Sequence, residues 1–177
     1  MASAQGELLV CQPYGGNATH IKDYGLGQGP NVVLGLVDQY GLQPGTKVYV
    51  DNLFTSIDLL DHMGDRQLGL TGTVRQNRLN GVPLPSKKEA AKQLKRGDHK
   101  AVYTQDSTIV LWQDNQAVYM ASNVDQVEPV GTCQRYSKKD KKYVGVPQPF
   151  INQEYNRFMG GVDLFDSGVK NYAITTR

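Results

Sequence analysis

Val48, Tyr49 and Val50 form a short apolar, β-favouring run behind Pro44-Gly45, which predicts a buried strand. From Asn52 the spacing turns helical. Phe54, Ile57 and Leu60 fall on one face while Asp58, Asp61 and Asp65 fall elsewhere, predicting a helix to about Met63. Leu68 to Arg75 reads as a second strand. Strand, helix and strand at this spacing predict a right-handed parallel crossover. Upstream, Glu7 to Gln12 reads as a strand ended by Pro13-Tyr14-Gly15-Gly16, and residues 17 to 30 read as a loop. Asn31 is the candidate cap of a helix with Val32, Val33, Leu36, Val37 and Tyr40 as its apolar face, stopped by Gly41.

Downstream, Ala101 to Gln105, Thr108 to Gln113 and Ala117 to Asn123 read as three short strands, with turns at Asp106-Ser107 and Asp114-Asn115. Their close spacing predicts an antiparallel meander, read as part of an inserted all-β subdomain over residues 79 to 146. Tyr155, Phe158, Met159, Val162, Phe165 and Val169 recur at helical spacing. They predict one long helix with a core-facing stripe and Asn152 as its cap. Gly160-Gly161 lies inside it, and each Gly costs such a helix about 1 kcal/mol relative to Ala. A helix that carries the pair needs close backbone approach there.

Composition narrows the class. The chain has 177 residues, 39% of them hydrophobic, enough for one domain or a domain with an inserted subdomain. No apolar run reaches the length of about 18 residues that a membrane span needs. The opening Met-Ala-Ser-Ala-Gln-Gly-Glu has no basic region followed by an apolar core, so no secretory signal is expected, and Asn17-Ala18-Thr19 is read as a chance sequon. Cys11 and Cys133 have no zinc-ligand spacing with His20, His62 or His99. Gly25-Leu-Gly-Gln-Gly29 lacks a following Gly-Lys-Ser/Thr and reads as a plain connector.

The net charge of +2 does not by itself point to nucleic acid, but the basic residues cluster. Lys87, Lys88, Lys92, Lys95 and Arg96 follow Pro83 and Pro85, and Lys138, Lys139, Lys141 and Lys142 form a second group. Each group reads either as a solvated surface or as a phosphate-contacting one.

Three carboxylates are candidates for chemistry. Asp51 stands at the carboxyl end of the predicted buried strand, where open α/β sheets place their functional groups. The alternative is a cap for the following helix. Asp163 and Asp166, three apart, share a helix face. They are either a solvated acidic edge or two ligands of a cation held with another carboxylate.

Three blocks occur together in this chain: Asp51-Asn52-Leu53-Phe54-Thr55-Ser56, then Thr71-Gly72-Thr73-Val74-Arg75-Gln76-Asn77-Arg78, then Tyr155-Asn156-Arg157-Phe158-Met159-Gly160-Gly161-Val162-Asp163-Leu164-Phe165-Asp166. In order and spacing they resemble the catalytic domain of piggyBac-type transposases and their domesticated host relatives. Trp112 and Ala121-Ser122-Asn123 sit in family-like context. The resemblance implies an α/β, RNase H-like core of the DDE/D transposase kind, interrupted by an antiparallel β-rich insertion. Its first part would cover residues 1–78, the insertion 79–146 and the C-terminal catalytic helix region 147–177.

It further implies a site in which three acids bind two divalent ions, Mg²⁺ with Mn²⁺ as substitute. Such ions prefer carboxylate oxygen and activate the attacking and leaving oxygens of a phosphodiester. Asp51 and Asp163 match metal-binding acids of the family, and Asp166 matches a further acid beside the site. Arg75, Arg78, Lys87, Lys88, Lys138 and Lys139 would face DNA phosphates, giving salt-sensitive binding. The partners implied are DNA, as transposon ends and TTAA targets, and a second copy of the chain. The place of action implied is the nucleus.

The sequence departs from that pattern at both ends. The family's first catalytic Asp, with the first two core strands, has no counterpart here, and Asp23 and Asp38 lie in the wrong segments to replace it. Nor does a cysteine-rich DNA-binding module follow residue 177. The expectation is a transposase-derived chain with a partial site, inactive in strand transfer on its own. The alternative is a domesticated, non-catalytic DNA-binding or protein-interaction module.

Overall fold

A computed structural model describes residues 1–16, 19, 21–79 and 81–172. The element order is α1 (Gln28–Tyr40), β1 (Lys47–Val50), α2 (Ile57–Asp65), β2 (Gly69–Thr73), a 3-10 turn (Gln76–Arg78), α3 (Lys87–Gln93), β3 (His99–Tyr103), β4 (Thr108–Gln113), β5 (Ala117–Ser122), β6 (Gly131–Ser137), β7 (Lys142–Gln148), α4 (Phe150–Phe158) and α5 (Gly161–Asn171). Five strands form one mixed sheet in the order β1-β2-β5-β4-β3, and β6 and β7 form a separate antiparallel hairpin.

The parallel crossover expected from sequence is present. Val48 lies opposite Leu70 and Val50 opposite Gly72, with α2 as the connection. Helix α2 starts where Ser56 Oγ accepts from the Leu59 amide at 3.2 Å, so Ser56 and not Asp51 is its cap. Helix α1 ends at Gly41, whose left-handed backbone suits a residue without Cβ. Its buried face is Val33, Leu34 and Val37, while Tyr40 turns outward. Asn31 does not cap α1. Its Oδ1 accepts instead from the amides of Tyr24 and Leu26, tying down the preceding loop.

The meander is also present, but it does not stand apart as a sheet. β5 pairs antiparallel with β2, Thr73 opposite Met120, so the five strands share one hydrogen-bonded ladder. Leu34, Leu59, Leu60, Met63, Leu70, Ile109 and Leu111 fill the core between that sheet and helices α1 and α2. A smaller cluster, Val110, Met120, Val127, Ile151 and Tyr155, lies with α4.

Three further expectations fail. Glu7 to Gln12 is not a strand. An isolated bridge joins Ala2 to Leu8 and the segment is largely exposed, since nothing pairs its backbone into a ladder. The long C-terminal helix is two helices, broken after Met159 at Gly160. Past the break most of the apolar stripe leaves the core: Val162 and Val169 are more than half exposed, and Phe165 is half-buried. Asn152 is not a cap but a buried residue inside α4, which starts at Pro149.

The expected close approach occurs at Gly161. A side chain there would collide with the Ser3 carbonyl, and one at Gly6 would sit 2.8 Å from the Leu164 Cβ. The N-terminal segment thus packs across the first turns of α5. Gly160 has open space around it and serves only the break.

Candidate active site and nucleic-acid interface

The turn from Asp51 to Ser56 follows directly from β1 and is held by its own backbone. The Asp51 carbonyl accepts from the amides of Phe54 and Thr55 at 3.0 and 3.2 Å and from Thr55 Oγ1 at 3.0 Å. It is then clamped by neighbours. Arg78 Nη1 donates to the carbonyls of Thr55 at 2.9 Å and Leu53 at 3.0 Å. Arg75 Nε donates to Asn52 Oδ1 at 2.8 Å. Gly29 and Gly72 supply the close contacts: a Cβ at Gly29 would strike the Leu53 carbonyl, and one at Gly72 would strike Thr55 Oγ1 and sit 2.7 Å from the Val50 carbonyl. The turn is therefore wedged between α1, β2 and the 3-10 turn.

On this turn the Asp51 carboxylate is exposed. Its Oδ1 accepts from the Asn52 amide and from Thr73 Oγ1, the latter at 3.4 Å. Tyr155 of α4 belongs to the same neighbourhood. Burial pushes its phenol above the ordinary value; its contact with Thr73 lowers it and the Asp51 charge raises it further. The three blocks singled out in the sequence thus meet through Asp51, Thr73 and Tyr155.

The other two acids lie on α5. Asp163 and Asp166 are both exposed, Asp163 in the first turn of the helix. Among the described residues no three His, Cys, Asp or Glu side chains group so as to hold an ion. Asp51 and Asp163 carry oxygen donors of the kind that suits Mg²⁺, two of the three acids that the sequence resemblance implies.

The arginines and lysines expected at phosphate differ in position. Arg78 is half-buried and engaged with the turn, and Arg75 is exposed but bonded to Asn52. Lys87 and Lys88 are exposed at the start of α3, whose Ser86 and Glu89 form a reciprocal cap. Lys138 and Lys139 are exposed at the tip of the β6–β7 hairpin.

Sequence reasoning missed a buried polar centre behind the site. Asp125, 1% exposed, accepts from Lys47 Nζ at 2.7 Å and from Thr71 Oγ1 at 2.7 Å. Ser122 Oγ lies 2.7 Å from Thr71 Oγ1 and accepts from the Asp125 amide at 2.8 Å. Nearby, the Tyr49 hydroxyl is buried with no hydrogen-bond partner among the described residues, and burial and the Asp125 charge push its phenol up. Asp125 follows no apolar run or spacing that would have marked it.

Comparisons agree with this geometry. A family model described as Transposase IS4 matches residues 3–177. The human PiggyBac transposable element-derived protein 3 is 35% identical over 180 residues, covering 99% of this chain and 30% of that protein. The human PiggyBac transposable element-derived protein 2 is 30% identical, with the same coverage. The chain thus spans about a third of the length of these relatives. Among solved structures, a piggyBac transposase in a synaptic complex with hairpin DNA shares the fold at a TM-score of 0.59 and 22% identity, over 84% of this chain and 29% of the other. The chain belongs to the IS4/piggyBac family of transposases and transposase-derived proteins.

Proposed function

We propose that this chain handles DNA as part of a transposase-derived protein. In this reading its lysine clusters and Arg75 engage phosphates, and Asp51 and Asp163, with Asp166 beside them, are part of an ancestral Mg²⁺ site for phosphodiester cleavage and strand transfer. The observation that carries it is Asp51, an exposed carboxylate at the end of β1 on a turn clamped from several sides. Such rigidity suits a group that must meet a reacting phosphate. The similar transposase solved with hairpin DNA supports DNA as the ligand class. A DNA ligand makes the nucleus the place of action.

In this reading the chain does not cleave DNA alone. A second, wholly non-catalytic reading, a DNA-binding module, rests instead on the exposed basic residues Arg75, Lys87, Lys88, Lys138 and Lys139. A thermal melt of the chain with and without Mn²⁺ separates them. A transition raised by Mn²⁺ and no longer raised in Asp51→Asn supports the metal-site remnant. A transition indifferent to Mn²⁺, with salt-sensitive duplex binding that Asp51→Asn leaves intact, supports the binding module. Strand cleavage by the isolated chain would overturn the inactivity proposed here. Absence of DNA binding at low salt would overturn both readings.

A further inference from the structure

The β6–β7 hairpin has two faces of different kind. Its inner face carries Arg135, which donates to Asp114 Oδ2 at 2.9 Å, and Val146 and Gln148, which are buried against the body. Trp112 Nε1 donates to the Pro147 carbonyl at 2.9 Å, pinning the same strand. On its outer face Tyr136 and Tyr143 stand directly opposite each other in the antiparallel register. Their rings meet edge to face at 5.6 Å between centroids, and they are 51% and 70% exposed. The period-two alternation puts Gln134 and Gly145 next to them on that face, neither charged, with the Thr132 methyl against Gly145.

At the tip, Lys138, Lys139, Lys141 and Lys142 are all exposed, and none is in an ion pair among the described residues. Asp140, the acid among them, is tied to Ser137 by a hydrogen bond of 2.6 Å.

We propose that this outer face binds unpaired nucleotides of single-stranded DNA, with Tyr136 and Tyr143 stacking on bases and the four tip lysines holding the adjoining phosphates. The inference deepens the DNA-handling reading above and rests on it. A duplex shows proteins its base edges and hides its base faces, so two exposed aromatic faces beside a cationic tip match a strand whose bases are unstacked. Four exposed lysines argue against a protein partner, because lysine is depleted from protein–protein interface cores. A cross-strand tyrosine pair also supports the hairpin itself, so the test must separate binding from folding.

The experiment is fluorescence anisotropy of the full chain with a labelled single-stranded oligothymidine and, separately, a labelled blunt-ended duplex of equal length at one fixed salt concentration. Variants are Tyr136→Ala, Tyr143→Ala, Tyr143→Phe and Tyr143→Val, the last keeping strand preference while removing the ring. Emission of Trp112, the sole tryptophan, confirms that the hairpin stays docked in each.

Loss of a stacked ring should weaken single-strand binding about tenfold, with duplex binding unchanged and Tyr143→Phe retaining parental affinity. Replacing the four lysines by Gln should weaken both ligands. The proposal is overturned if docked Ala and Val variants bind the single strand as the parent does, or lose both ligands equally. If the parent binds duplex but no single strand, this inference falls and the DNA-handling reading stands. Should it bind neither, the DNA reading falls and takes this one with it.

Discussion

Arg78 Nη1 lies 2.9 Å from the Thr55 carbonyl oxygen and so latches the 3-10 turn after β2 to the turn after β1. The two blocks that carry Asp51 and Arg78 are joined by this guanidinium. Arg78→Ala should lower stability by about 2 kcal/mol, because charge-assisted hydrogen bonds to buried or half-buried carbonyls are lost together. Arg78→Lys should recover only part of it, since an ammonium cannot reproduce the planar fork. Urea denaturation with unchanged slope checks this. A loss of DNA affinity without loss of stability would instead place Arg78 on phosphate.

Neighbouring glycines should respond with opposite signs. Gly160 has φ −83° and nothing near its absent Cβ, so Gly160→Ala should stabilise by about 0.5 kcal/mol through the unfolded chain. Gly161→Ala should destabilise by about 2 kcal/mol, because the added methyl meets the Ser3 carbonyl. Thermal melts of the two single variants decide the matter; equal shifts would mean that residues 3–6 do not pack on α5.

Asp125 is the buried acid whose removal should be felt most. Asp125→Ala strips partners from Lys47 and Thr71 at once and should cost about 3 kcal/mol. Lys47→Met should cost less, since the Lys47 side chain is 39% exposed and part of its attraction is already screened. Chemical denaturation of both singles and the double variant gives their coupling.

Acid should loosen the hairpin before the body. Burial of Asp114 opposes its ionisation, but hydrogen bonds from Arg135 and Arg96 outweigh that and hold its carboxyl below the ordinary value. A carboxyl so depressed contributes stability that is complete above its unfolded value of about 3.9 and is lost as pH falls through its folded value. Arg135 also sits over the Trp112 ring at 5.8 Å. Trp112 emission should therefore shift in that acid window at a pH where far-ultraviolet circular dichroism is unchanged, and Asp114→Asn should shift it at neutral pH.

The crossover around Asp51 was legible because local signals agreed: a β-branched run, then helical spacing from Asn52, although the cap proved to be Ser56 and not Asp51. The meander was legible for the same reason, but its place in the sheet was not. Nothing local in Thr71-Gly72-Thr73 announces Ser122, Ala121 and Met120 as partners; the pairing is fixed by tertiary packing. Periodicity misled at the end of the chain. Val162 and Val169 keep the spacing of a buried face, but the break at Gly160 carries them out of the core. At the site, the family resemblance set Arg78 toward DNA phosphates but could not show that it turns inward to three backbone carbonyls. The Asp125 centre stayed hidden because its partners Lys47 and Thr71 come from two distant strands.

The contact between Ser3 and Gly161 also sets an order of events. Residues 3–6 find their packing partners at Gly161 and Leu164, far along the sequence, so this segment must wait while the sheet, both helix layers and the hairpin are assembled. Closing so long a loop adds little to the equilibrium cost, which grows only logarithmically with length, but it falls late in time. Docking of residues 3–6 is thus a final fastening, and a variant that weakens it should quicken unfolding while leaving the folding rate nearly untouched.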